Sequence, residues 1–130
     1  MRPGREMDTR IAREVFGHEV WATNKTLHEK TPDGKRPLRN YTKEIEWAWE
    51  VAQQLRISVM PVNEDQWFAF VAGNKGWKSP QEFAEFLNAG NFKGCGAAVG
   101  ESIPVVICEA ALRALDKKVT EVAEASHPTQ

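Results

Sequence analysis

The chain has 130 residues and a formal net charge of −1, with 42% hydrophobic and 27% charged residues. These proportions are typical of one globular domain with a single core. The near-neutral charge excludes broad electrostatic attraction to nucleic acid or to anionic lipid. No apolar run approaches the roughly 18 residues that cross a membrane. We therefore expect a cytoplasmic protein that does not bind membranes, and we do not expect direct nucleic-acid binding.

The N-terminal residues predict a short helix after a disordered leader at residues 1–7. Asp8 is a favourable N-cap residue, and an apolar stripe follows it along the next two turns. Gly17 suits the left-handed position that ends a helix. We therefore predict a helix at residues 8–16. Its apolar stripe consists of Ile11, Ala12, Val15 and Phe16.

The next segment combines a strand with a basic loop. Residues 19–27 alternate weakly, and their Thr, Val and Trp content allows a strand. Residues 31–37 have the proline and glycine of a turn. Two interpretations of the basic residues around this turn remain open: a solvated loop, or a site for an acidic partner. The candidate partner-binding residues here are Lys35, Arg36 and Arg39.

The clearest helix is predicted at residues 42–55. Thr42 can act as its N-cap, and its apolar residues recur at helical spacing. Trp47 and Trp49 point about 200° apart on a helix, so one of them packs on a sheet and the other meets a loop or a second chain. We predict that Trp49 is buried. The predicted apolar face contains Ile45, Ala48, Trp49, Ala52 and Leu55.

A hairpin and a C-terminal helix complete the regular elements. Residues 57–62 and 67–71 predict two antiparallel strands joined by a turn. Ser102 can cap a final helix at residues 102–122. On the buried face of that helix we predict Ile107 and Ala111.

These elements predict an α+β fold, in which a small antiparallel sheet is covered by helices. We expect a single domain at residues 8–125 and a loose tail at 126–130. Residues 76–100 look like an insertion, with a short helix among several glycines. Its aromatic side chains could close a small satellite core, or could form an exposed contact. Trp77 and Phe92 flank the short helix and are the candidates for contact with a partner or another copy of the chain.

No constellation for catalysis or metal binding stands out. The histidines lack metal-ligand spacing, and Cys108 lies on the predicted buried face of the last helix. Cys95 could be exposed and reactive, but no histidine partner is identifiable. Both cysteines are expected to be reduced. The glycine-rich residues 94–100 could cradle a phosphate, or could be a flexible connection. We predict no enzyme activity, no cofactor and no metal.

Four segments carry a resemblance to a known family. They are MDTRIAREVFG at 7–17, AWEV at 48–51, WFAFV at 67–71 and IPVVICEAALRAL at 103–115. Together they resemble the phage ABA sandwich domain family of small phage and prophage proteins. The resemblance implies a small antiparallel sheet covered by helices. It implies no catalytic residue, and residues 76–100 depart from the family's pattern.

Three functions remain open. The leading hypothesis is a non-catalytic phage or prophage accessory protein that binds a host protein and inhibits an antiviral defence system, such as a CRISPR-Cas effector. The second is a homo-oligomer that sequesters a nucleotide-like immune signalling molecule, suggested by the glycine-rich and basic loops. The third is an uncharacterised small enzyme, which needs a cleft that joins Cys95 to a histidine.

Overall fold

The computed structural model describes residues 4–71, 79–81, 85 and 96–125. The helical elements are α1 (Arg5–Arg10), a π-helical turn (Ile11–Val15), α2 (Ile45–Leu55) and α3 (Ile103–Ala125). The strands are β1 (Glu19–Thr23), β2 (Thr26–Thr31), β3 (Gly34–Pro37), β4 (Ser58–Val62), β5 (Gln66–Phe70) and β6 (Ala98–Gly100).

The fold class is α+β, as predicted. The described strands form two antiparallel three-stranded sheets, with the orders β1-β2-β3 and β4-β5-β6. The sequence led us to expect one small sheet, whereas the chain builds one before α2 and another after it. Helix α2 lies between the two sheets in sequence. The π-helical turn contacts β1 of the first sheet, and α3 packs against β5 and β6 of the second.

The first sheet is a meander with tight turns. Its first turn places Asn24 at φ 49° and Lys25 at φ 66°, and positive φ at both central residues is the geometry that matches the twist of a hairpin. Residues 34–37, which the sequence predicted as part of a turn, form strand β3. This strand has no hydrophobic pattern of its own, so only its pairing with β2 defines it.

The second sheet contains the predicted hairpin and one further strand. Ser58 pairs with Phe70 and Val62 with Gln66, which confirms the antiparallel pairing of the two predicted strands. Strand β6 adds to the free side of β5. Residues 98–100 had been interpreted as part of a glycine-rich connection. Three residues are too few to show the alternation that marks a strand.

Helix α3 forms the centre of the core, because it packs against α2, the π-helical turn, β5 and β6. Ser102 caps it as predicted, since the Ser102 hydroxyl accepts the Val105 N–H at 3.3 Å. Both side chains predicted to be buried here are fully buried. Among residues 103–116, the part of α3 whose burial is described, the buried residues are Val106, Ile107, Cys108, Ala110, Ala111 and Leu112.

Helix α2 differs from the prediction in its start and in its exposed tryptophan. It begins at Ile45, and Glu44 rather than Thr42 occupies the N-cap position. The prediction that Trp49 is buried is wrong, because 53% of this residue is exposed. The buried face of α2 is narrower than the apolar stripe in the sequence. It consists of Ala48, Val51 and Ala52.

The buried face of α2 contains small side chains. Ala48 and Ala52 are buried, and α2 packs against α3, which carries buried alanines at 110 and 111. Trp49 follows Ala48 directly, so its side chain points about 100° away on the helix and lies outside this face. Trp47, on the other flank, packs partly against the core and donates its indole N–H to Glu44 at 3.1 Å.

The N-terminal helix is attached to the segment before α2 through a buried carboxylate. Asp8 lies inside α1, which begins at Arg5, and it is not the N-cap that the sequence suggested. Its Oδ1 accepts the backbone N–H and the hydroxyl of Thr42, both at 2.9 Å. Arg5 donates to its other oxygen at 3.1 Å. Met7 beside it is fully buried.

Removal of the Asp8 carboxylate should destabilise the fold. Asp8→Ala leaves two buried donors of Thr42 without an acceptor, so we expect a loss of about 1–3 kcal/mol in the free energy of unfolding. Chemical denaturation measures it. Glu6→Ala, at an exposed position of the same helix, is the control and should stay within about 0.5 kcal/mol of the parent. Equal effects of the two changes would contradict the buried linkage.

A second stability prediction concerns the approach of residue 96 to α3. A Cβ on Gly96 would lie 2.6 Å from the carbonyl oxygen of Ala110, and its φ is +54°. Gly17 also has a positive φ, +71°, but open space surrounds it. Gly96→Ala should therefore lower the melting temperature more than Gly17→Ala does, since only the first adds a clash to the backbone strain. Similar losses in a melting experiment would show that Gly96 does not pack as described.

Candidate functional site

A buried carboxylate organises the inner face of the first sheet. Glu29 is fully buried, and its oxygens accept hydrogen bonds from three directions. The Tyr41 hydroxyl lies 2.9 and 3.1 Å from the two oxygens, and the backbone N–H of Arg39 lies 3.0 Å from one. His18 Nδ1 lies 2.7 Å from Oε1, and Arg36 Nε lies 3.5 Å from Oε2.

These contacts keep Glu29 ionised. Burial alone raises the pKa of its carboxyl, but the hydrogen bonds from Arg39, His18 and Tyr41 and the charge of Arg36 outweigh burial, so the pKa is lowered. Burial and the charge of Glu29 together raise the pKa of Tyr41. An ionised carboxylate only accepts hydrogen bonds, so His18 must carry a proton on Nδ1. Its Nε2 is left for other contacts.

The strand register explains how the sequence assembles this cluster. Val20, Glu29 and Arg36 are cross-strand neighbours, so they share one face of the sheet. The turn at Gly17 places His18 next to the start of β1. The chain leaving β3 then brings the backbone of Arg39 over the same carboxylate.

A groove of about 400 Å³ opens beside this cluster. One wall is the C-terminal half of α2, and the opposite wall is the turn between β2 and β3. His18, Arg36 and Tyr41 lie along it, with Glu29 buried behind them. The remaining lining residues are Phe16, Thr31, Pro32, Asp33, Glu50, Gln53 and Gln54.

The exposed side of α2 carries an apolar patch. Ile45 and Trp49 are each 53% exposed and stand one helical turn apart. A tryptophan this exposed on a regular helix is unusual, because tryptophan is highly buried on average. We call this pair the α2 patch.

The structure does not bring the three predicted basic residues to one surface. Lys35 is exposed on the outer face of the first sheet, where its Nζ lies 5.8 Å from the ring centroid of Trp21. Arg36 faces the opposite way, towards Glu29. Arg39 lies 3.8 Å above the Trp47 ring and forms an ion pair with Glu50. Their role in partner binding stays a prediction.

The other candidate site residues from the sequence lie in different parts of the chain. Trp77, Phe92, Cys95 and His127 lie outside the described residues. Cys108 is fully buried, and burial raises the pKa of its thiol, which disfavours the reactive thiolate. His28 stacks on Trp21 with ring centroids 5.8 Å apart.

The described part of the chain has two further properties that bear on function. Its His, Cys, Asp and Glu side chains form no group of three that could hold a metal ion. Among the same residues, no helix is both long and apolar enough to span a membrane. The sequence suggested residues 94–100 as a possible phosphate-binding loop. Part of this segment has a structural role, because residues 98–100 form β6 and Gly96 packs tightly against α3.

The pairing of His18 with Glu29 does not follow from any motif or spacing in the sequence. A weak signal was present, because Glu29 lies two residues from Leu27, at a position where the alternation of β2 places a side chain inwards. A glutamate at such a position needs partners, and a search for them would have pointed to nearby Arg, His and Tyr residues.

Comparison with solved structures identifies a related fold. A crystal structure of a phage protein from Bacillus cereus ATCC 14579 matches with a TM-score of 0.60 and 21% sequence identity, over 89% of each chain. At this identity the likeness shows the fold. No protein-family model matches the chain, and no curated protein matches it. The resemblance to the phage ABA sandwich domain family stays a prediction from the sequence.

The buried carboxylate predicts a pH-dependent stability. Glu29→Gln removes the partner of buried donors and of Arg36, so we expect a loss of about 3–5 kcal/mol at neutral pH. The pKa of Glu29 is lowered in the folded state, so its stabilisation is complete above the ordinary pKa of a glutamate, about 4.3, and disappears as the pH falls further. The difference between parent and variant should therefore shrink below about pH 4.3.

Denaturant unfolding measured at several pH values tests this prediction. Glu46→Gln, at an exposed position of α2, is the control and should show a small difference that changes little with pH. A gap between parent and Glu29→Gln that widens on acidification would contradict a lowered pKa for Glu29.

Proposed function

We propose that this protein is a non-catalytic phage or prophage accessory protein that acts by binding a host protein. The observation that carries the proposal is the α2 patch. Ile45 and Trp49 stand side by side on a helix and are both half-exposed. Exposed tryptophan is enriched among the residues that dominate protein interfaces, because its large ring buries much area at little cost in side-chain entropy.

The patch has the form expected of a binding surface. Its apolar centre lies on a rigid helix, which is fixed to α3 by buried side chains and therefore presents the patch without reorganisation. Glu46 and Gln53 are exposed neighbours on α2 and would supply a polar rim. A helix face of this kind can bind in a groove or on a flat surface of a partner protein.

Two likenesses support a phage origin. The fold resembles that of the Bacillus cereus phage protein, and the sequence resembles the phage ABA sandwich domain family. A phage protein of this size that acts inside a host cell would meet host proteins in the cytoplasm. We extend the proposal to inhibition of an antiviral defence system, such as a CRISPR-Cas effector, as the reason for binding.

The proposed binding role includes no catalytic step. In support of this, the one described cysteine, Cys108, is buried and the pKa of its thiol is raised, which disfavours a nucleophilic thiolate. Trp77 and Phe92 remain candidates for a second contact, and the experiment below separates them from the α2 patch.

Replacement of the α2 patch should abolish binding and preserve the fold. We expect Ile45→Ala combined with Trp49→Ala to cost less than about 1 kcal/mol of stability, since exposed side chains contribute little to folding. Capture of the host partner from lysate should be lost. Melting temperature, size-exclusion chromatography and pull-down are measured for each variant.

Two controls sharpen this test. Val99→Ala changes an equally exposed apolar residue, 55% exposed, on β6 and should leave capture intact. Trp77→Ala combined with Phe92→Ala tests the other predicted contact. Capture retained by the α2 variant but lost with Trp77 and Phe92 would place the binding surface elsewhere. A change of apparent size in the α2 variant without any partner would indicate that the patch joins two copies of the chain.

A further inference from the structure

We propose that the groove between α2 and the β2–β3 turn is a binding site for a small molecule that carries a compact oxyanion, either a carboxylate or a phosphate. Arg36 and His18 would anchor the anion. The groove lining does not include Ile45 or Trp49, so variants of the α2 patch and variants of the groove test the two proposals separately. The groove has the size of a small-ligand site, since such sites commonly occupy about 300–1,000 Å³.

The guanidinium of Arg36 has hydrogen-bond donors that are not all used within the described residues. Its Nε is buried and has no hydrogen-bond partner within the described residues. Glu29 is 3.5 Å away, and its oxygens already accept shorter hydrogen bonds from Tyr41, His18 and Arg39. A guanidinium has five N–H donors arranged in a planar fork, which fits the oxygens of a carboxylate or phosphate. Nε itself is buried against Glu29, but 29% of the Arg36 side chain is exposed, so a ligand oxygen would bind its other N–H groups from the groove.

The two anchoring side chains are preorganised at the groove by Glu29. Glu29 is held by groups from separate segments, and it in turn fixes His18 and Arg36 at the groove. Because Nδ1 of His18 donates to Glu29, a proton on Nε2 would make this histidine a second cationic donor. His18 and Arg36 are therefore already held in place before a ligand binds. Binding would therefore cost little side-chain entropy.

The walls of the groove determine which groups of the ligand can pack beside its anion. The ring of Phe16 stacks on the rings of His18 and Tyr41, with centroids 5.6 Å apart in both pairs, and gives an apolar side. Gln53 and Gln54 supply amide donors and acceptors from α2.

The acidic residues of the lining limit the charge of the ligand. Glu50 is paired with Arg39, but Asp33 is exposed beside the groove. A polyanion would meet Asp33, whereas a compact anion on the groove side of Arg36 would avoid it. Such an anion would also keep the guanidinium between itself and Glu29, which lies 3.5 Å from Arg36 Nε. The arrangement therefore favours a singly charged or small group on a polar, partly planar molecule.

Gln54→Glu is the most selective test variant. It places a negative charge in the groove at an exposed helical position, where Gln and Glu have similar helix propensity, and leaves Glu29 and Arg36 untouched. Arg36→Lys keeps the charge but removes the planar fork. Glu46→Gln, on the same helix but outside the groove lining, is the matched control.

The probes are inorganic phosphate, adenosine monophosphate and succinate, titrated by calorimetry and by thermal shift at fixed ionic strength. We expect saturable binding of at least one probe with a dissociation constant below about 1 mM. Strong binding of phosphate or the nucleotide would identify a phosphate site, and selective binding of succinate would identify a carboxylate site. Gln54→Glu and Arg36→Lys should each weaken binding about tenfold or more, with an unchanged melting temperature for Gln54→Glu.

Two results would overturn the proposal. One is no saturable binding of any of the three probes by the folded parent protein. The other is binding that Glu46→Gln strengthens by as much as Gln54→Glu weakens it, because a general effect of net charge would then explain both changes.

Discussion

The structure depends on one ionised carboxylate in its interior. Removing a carboxylate from water is costly unless hydrogen bonds and an opposite charge replace the solvent. Glu29 meets that condition through His18 before β1, Arg36 on β3, and Arg39 and Tyr41 before α2. The meander, the turn after the π-helical segment and the approach to α2 are therefore held together by the need to satisfy the same charge.

A second constraint, steric rather than electrostatic, determines which surface is left for binding. Helix α2 packs against α3, its buried residues are Ala48, Val51 and Ala52, and Trp49 lies outside that buried face. Trp47 finds a place against the core and under Arg39, whereas Trp49 is left at the surface next to Ile45. The feature on which the proposed function rests thus follows from the same packing that stabilises the fold.

The sequence predicted those elements whose periodicity is strong, and it missed features that depend on tertiary contacts. Helix α3 and the β4–β5 hairpin were predicted because their apolar residues recur at regular spacing. Strands β3 and β6 have no such pattern and exist through pairing with a neighbour. The burial of Trp49 was predicted wrongly because helical spacing defines a stripe but does not define its width. The partners of Glu29 lie up to twelve positions away from it in the sequence, and no local pattern predicts such contacts.

The central claim is that Glu29 and its partners act as one cooperative unit, and a double-mutant cycle tests it most directly. Unfolding free energies are measured for the parent, Glu29→Gln, Tyr41→Phe and the double variant. The two sites hydrogen-bond directly, so the account predicts a coupling energy of about 1–3 kcal/mol, with the double variant losing much less than the sum of the single losses. Losses that add to within about 0.3 kcal/mol would contradict it, because they would show that Glu29 and Tyr41 contribute independently.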